Sequence, residues 1–139
     1  CFNVGRRGIE PASSNVRILN NTFFSADASS EFYAVILENP VTNVTVKNNL
    51  AYAPKATTSE MRNGNGASGL DATNNSTNSE VKTASPNWVS ATPSIPAQFA
   101  LNTGSYAIDR GTSVPVFSDL FGLSRPRNAT FDLGAIERP

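Results

Sequence analysis

Three carboxylates in this chain stand directly after an apolar residue: Glu10 after Ile9, Glu38 after Leu37 and Asp71 after Leu70. Glu38 follows Glu10 by 28 residues and Asp71 follows Glu38 by 33. If the chain folds back on itself with such a period, the three stack along one outer face, about 5 Å from layer to layer. Carboxylates that close either raise the pKa of one member, giving an acid-base pair, or recruit a hard cation. Calcium is the cation that fits, with Glu10 and Glu38 as its ligands. Arg6, Arg7 and Lys47 are the basic residues nearby. Glu10, Glu38, Asp71, Arg6, Arg7 and Lys47 are therefore the candidate catalytic set. The competing reading is that Glu10 and Glu38 are solvated, or paired with Arg6, Arg7 or Lys82.

The elements that would hold these side chains repeat. Asn15-Val16-Arg17-Ile18-Leu19-Asn20-Asn21 returns as Asn43-Val44-Thr45-Val46-Lys47-Asn48-Asn49, 28 residues later. A unit this short cannot bury its own apolar face and must stack on copies of itself. Side chains on a strand alternate, so Val16, Ile18, Val44 and Val46 point inward while Arg17, Leu19, Thr45 and Lys47 point outward. Asn20 and Asn48 fall on the inward parity at the strand ends. Stacked about 4.8 Å apart, their amides are expected to bond from layer to layer. Phe23, Phe24 and Tyr52 follow the bends and are read as corner filling, with sugar stacking as the rival role.

Composition narrows the function classes. There is no histidine, which excludes a Ser-His-Asp or Cys-His triad and His-ligated zinc within this chain. Eleven basic residues balance eleven acidic ones without clustering, so nothing favours nucleic acid as a partner. No apolar run approaches the roughly 20 residues that a membrane span requires. The single cysteine, Cys1, has no partner for an internal disulfide. It is either a lipidated N-terminus or a truncation point. Cys1-Phe2-Asn3 reads as the tail of a repeat unit, and the chain is expected to be the C-terminal piece of a longer protein.

From residue 54 to residue 79 the alternation dissolves into Thr, Ser, Asn and Gly, with Asn63-Gly64-Asn65-Gly66 as a turn signal. This stretch is read as a long loop near 54–79, with a damaged third copy beginning at Gly69-Leu70-Asp71. Glycosylation sequons stand at Asn20, Asn43, Asn74, Asn75 and Asn128, and two of them lie inside expected strands.

The text changes at Ser85. It runs through Ser85-Pro86-Asn87-Trp88-Val89, Gly104-Ser105-Tyr106-Ala107-Ile108-Asp109-Arg110-Gly111 and Asp119-Leu120-Phe121-Gly122-Leu123-Ser124-Arg125-Pro126. It closes on Phe131-Asp132-Leu133-Gly134-Ala135-Ile136-Glu137. This ending resembles that of secreted bacterial right-handed parallel β-helix proteins of the pectate-lyase-like superfamily, whose C-termini read "PAIDxG", "DLDGxxRP" and "DIGAxE". Tyr106 departs from the usual Pro, and Phe121 replaces an acidic residue, which argues against calcium in that turn.

The resemblance implies an all-β fold, a right-handed parallel β-helix (solenoid) of a few coils with an irregular C-terminal cap. Residues 1–84 would form the coils and residues 85–139 the cap of the same domain. The cap is expected to plug the open end of the last coil with Trp88, Phe99, Leu101, Ile108, Leu133 and Ile136. Asp109, Asp119 and Asp132 would accept turn amides, and Arg125 would pair with one of them or with Glu137.

In lyases of that superfamily calcium neutralises a uronate carboxylate while a Lys or Arg takes the neighbouring proton. Arg6, Arg7 and Lys47 match no motif that assigns this role. The resemblance implies a secreted or cell-surface, carbohydrate-active parent, a polysaccharide lyase or glycosidase, with this chain as scaffold and cap. The alternative is a non-catalytic glycan-binding, adhesive or filament-forming β-helix. Polysaccharide, the remainder of a longer β-helix chain, or stacked copies of the chain itself are the corresponding partners.

Overall fold

A computed structural model describes residues 6–27, 30–37, 40–63 and 67–138. Cys1, Glu38 and the 64–66 turn lie outside the described residues. The chain makes three passes, each built from strands of two to six residues. The first pass contributes β1 (Arg7–Ile9), β2 (Arg17–Leu19) and β3 (Thr22–Phe24). The second contributes β4 (Glu31–Ile36), β5 (Val41–Thr42), β6 (Thr45–Lys47) and β7 (Leu50–Tyr52). The third contributes β8 (Thr58–Asn63), β9 (Ala67–Ser68) and β10 (Asp71–Thr73). These strands form short, open sheets ordered β1-β4-β8, β10-β6-β2, β3-β7 and β5-β9, and all of their pairings are parallel. The fold is all-β, with one short helix, α1 (Asn78–Thr83), and one 3₁₀ turn at Pro96–Phe99.

The repeated phrase sets the register of the β2-β6 ladder, where Ile18 pairs with Val46, and the Thr45 amide donates to the Val16 carbonyl at 2.9 Å. Ile18, Val44 and Val46 are buried, and Val16 packs against the same core. Each layer turns a corner on residues with positive φ: Asn15 (60°), Asn43 (54°) and Gly69 (62°) at one bend, and Asn20 (52°), Asn48 (57°) and Asn74 (52°) at the next. Left-handed backbone is costly for most L-residues, and glycine and asparagine are the types that adopt it most readily. Gly69 therefore takes the place of Asn15 and Asn43 in the third layer.

That equivalence corrects two expectations. Residues 54–79 are not a loop: they supply β8, β9, β10 and α1. Asp71-Ala72-Thr73-Asn74-Asn75 continues the β2-β6 ladder, with Ala72 opposite Val46. The pattern had been lost to the eye because the inward apolar residues shrink to Leu70 and Ala72 while the corner residues persist. The apolar-acid pairs also do not stack as expected. Ile9 pairs with Val35 rather than Leu37, and Asp71 pairs with Thr45 in a different sheet. The second layer uses two more residues than the first between these two sheets, so a single offset of 28 cannot hold for both.

The interior is closed at the third layer by α1. Thr77 caps the helix in a reciprocal box with Glu80, its hydroxyl accepting from the Glu80 amide while the Glu80 carboxylate accepts from the Thr77 amide. The helix packs on β7 and β8 and drives the fully buried Val81 into the core beside Met61. Residues 85–138 lie elsewhere, along the side of the stack. Trp88, Phe99, Leu101, Leu133 and Ile136 are buried there as expected, with Ile108 partly so, but they cover the outer face of β3 and β7 through Phe24, Leu50 and Tyr52. Trp88 sits edge-on to Phe24 (5.2 Å), Tyr52 (5.9 Å) and Phe99 (5.0 Å). The expected end plug is thus a side wall, and the helix closes the end. Phe23 alone of the three aromatic corner candidates points into the interior core.

Candidate functional site

The structure places the charged candidates on two faces and gives every described one a partner. Arg6 pairs with Glu31, and Arg7 with Glu10 at 2.8 Å, on and beside the β1-β4-β8 sheet. Lys47 pairs with Asp71 at 2.5 Å on the outer face of the β10-β6-β2 sheet. Glu10, Arg6 and Arg7 are therefore not brought together with Lys47 and Asp71. The stacked trio of Glu10, Glu38 and Asp71 does not form, because Asp71 belongs to a different sheet. Glu38, the other half of the calcium pair, lies outside the described residues. Among the described residues no three carboxylates or thiols converge on a metal-sized site.

What the layers do bring together is asparagine, in columns with different tasks. Asn21, Asn49 and Asn75 form the layer-to-layer ladder. The Asn49 side-chain oxygen accepts from both the amide and the Nδ2 of Asn21 at 3.0 Å, and the Asn75 oxygen accepts from both of those of Asn49 at 2.9 Å. Each later member also donates one layer back: Asn49 Nδ2 to the Ile18 carbonyl (2.9 Å) and Asn75 Nδ2 to the Val46 carbonyl (2.7 Å). Asn20 and Asn48, expected to bond to one another, instead face the closing segment. Asn48 Nδ2 donates to the Thr112 carbonyl (2.7 Å) and its Oδ1 accepts from the Thr112 amide (2.9 Å). Asn20 and Asn74 donate to the carbonyls of Asp132 and Arg110. One asparagine from each layer thus holds the backbone of the side wall. The repeated Asn-Asn doublet was the available signal, but a doublet does not reveal which member faces which neighbour.

The side wall carries its own charge network. Arg125 and Glu137 form an ion pair at 2.6 Å with both side chains 1% exposed. Glu137 also accepts from the amides of Asp132 and Arg127, and Arg125 donates to the Gly134 carbonyl. Burial pushes the Glu137 carboxyl above its ordinary value, against those amides and the charge of Arg125, and pulls Arg125 down. Asp119 accepts the amides of Phe121, Leu123 and Glu137, Asp132 those of Asp109 and Arg138, and Asp109 that of Thr130. These carboxylates are turn organisers, as their glycine-rich surroundings indicated.

A latch joins the wall to α1. Arg110 donates to Glu80 at 2.7 Å and lies over the Tyr106 ring, whose hydroxyl is 3.3 Å from that of Ser76. Burial pushes the Tyr106 hydroxyl up to about 12. Tyr106, the departure from the resembled motif, therefore has a structural task. Burial opposes ionisation of Glu80, but the hydrogen bonds from Arg110 and the Thr77 amide outweigh it and hold the carboxyl below its ordinary value.

Two recesses remain. One, of about 300 Å³, lies between the first layer and the wall, with Asn21, Thr22 and Ser94 at its polar edge and Ile95, Phe99, Leu120 and Ile136 among its apolar lining. The other, of about 260 Å³, is polar and lies at the third layer beside Ala72, Asn74 and Asn75. No helix among the described residues is long and apolar enough to cross a membrane. Comparison with protein-family models, with curated proteins and with solved structures gives no match for the chain.

Proposed function

We propose that this chain is the closing section of a right-handed parallel β-helix protein of the secreted, carbohydrate-active kind that its ending resembles. Its own task is to keep stacked layers in register and to seal them. The observation that carries this reading is the set of three asparagines, Asn20, Asn48 and Asn74, one per layer, that hold the side-wall backbone. Parallel strands at an offset near 28 residues accord with successive coils, and connections between parallel strands are right-handed in nearly all proteins. The described candidate acids and bases are spent pairwise on each other, which suits a scaffold better than an acid-base centre. Substrate chemistry on a uronate polymer would then rest with residues of a longer parent.

Uronate polymers incubated with the chain, with and without calcium, provide the test through the ultraviolet absorbance of the unsaturated product. The scaffold reading expects no rise for any polymer, together with a lower unfolding midpoint for Asn48→Ala. A sustained calcium-dependent rise that Lys47→Ala or Glu10→Gln removes would overturn it.

A further inference from the structure

We propose that the recess beside Asn21 is a docking site for one more extended strand of the repeat's own type, a segment ending in Asn-Asn followed by an apolar residue. The inference rests on the layered reading above and adds the partner's chemistry. Asn49 and Asn75 each accept two hydrogen bonds at Oδ1 from the asparagine of the preceding layer. Asn21 occupies the same ladder position, yet among the described residues its Oδ1 accepts none, and β2 is the outer strand of its sheet. A segment carrying asparagine at this height would supply both missing donors, its backbone amide and its Nδ2. Its preceding apolar carbonyl could accept from Asn21 Nδ2, as Ile18 and Val46 do from Asn49 and Asn75.

The apolar side of the recess fits the residue that follows. In the second layer that residue is Leu50, 1% exposed beneath the side wall, and in the first it is Thr22, whose hydroxyl accepts from the Ala135 amide. The recess continues this column one layer further. The wall extends over it with Ile95 (54% exposed) and Leu120 (57% exposed), large apolar side chains in position to cover another leucine. Donor-acceptor complementarity on one side and an apolar roof on the other select a polypeptide strand.

The experiment is a titration of the full ¹⁵N-labelled chain with a peptide copying residues 41–52, followed by NMR. Shift changes are expected at the Asn21 side-chain amide, at Arg17–Leu19 and at the amides of Ile95 and Leu120. The peptide bearing Asn49→Ala should bind at least about tenfold more weakly, since two hydrogen bonds are lost. The Leu50→Ser peptide should no longer shift Ile95 and Leu120. No shifts, shifts confined to other edges, or equal binding by the Asn49→Ala peptide would overturn the proposal. So would concentration-dependent shifts of the same residues without peptide, which would assign the recess to a second copy. None of these results bears on the uronate absorbance or the Asn48→Ala midpoint, so the two readings fail separately.

Discussion

Arg125 and Glu137 show how much of the wall's order depends on single side chains. Both are almost fully removed from water, and each is charged only because the other is there. Arg125→Ala leaves the Glu137 carboxylate buried without its partner. A loss of about 3–5 kcal/mol is expected in urea unfolding. Glu80 governs a different condition. Its carboxyl lies below its ordinary value of 4.5 in the folded chain. Its contribution to stability is therefore fully present above that ordinary value and is lost as pH falls through the folded one. Glu137 carries the opposite sign: its raised carboxyl favours folding most at low pH and gives this up as pH rises through the raised value. The Glu80→Gln variant should consequently show a flatter decline in unfolding free energy on acidification than the parent chain. An unchanged acid limb would show that the Arg110 latch does not hold α1 to the wall.

The elements rest on asparagine at left-handed corners and on a single helical cap. Asn48→Ala removes both bonds to Thr112 and puts a Cβ-bearing residue without a local hydrogen bond at φ 57°. The expected cost is about 2–4 kcal/mol, from orphaned buried groups and from left-handed backbone. Asn48→Gly relieves the backbone part and should be less destabilising in the same denaturant series. Val81→Ala opens the closed end of the core and should cost about 2 kcal/mol. The alternation of Val16, Ile18, Val44 and Val46 was legible because both copies keep bulky inward residues. The third copy was not, because Gly69 and Ala72 replace an asparagine and a valine, and corner geometry rather than hydrophobicity carries the repeat there. The paired fates of Arg7, Glu10, Lys47 and Asp71 were open in the sequence, since register between sheets depends on connections whose lengths differ by one or two residues. The closing role of α1 went unseen, although Thr77 and Glu80 spell a capping box before Val81.

At the scale of the molecule, closure is divided between two devices. The helix seals the core at the third layer, while the wall crosses all three layers from the side and is tied to each by an asparagine. The resembled ending had suggested one plug at one end. Its conserved-looking turns are explained equally well by a wall, because Asp119, Asp132 and Glu137 organise backbone amides within it. All of this stands on three passes of chain lying in parallel register. The most direct test is a NOESY experiment on the labelled chain, reading cross-peaks between backbone protons of Ile18, Val46 and Ala72 and between those of Phe23 and Ala51. Sequential contacts from Ile18 to Val46 to Ala72 in a parallel pattern are the predicted result. Antiparallel contacts, or none between Ile18 and Val46, would contradict it.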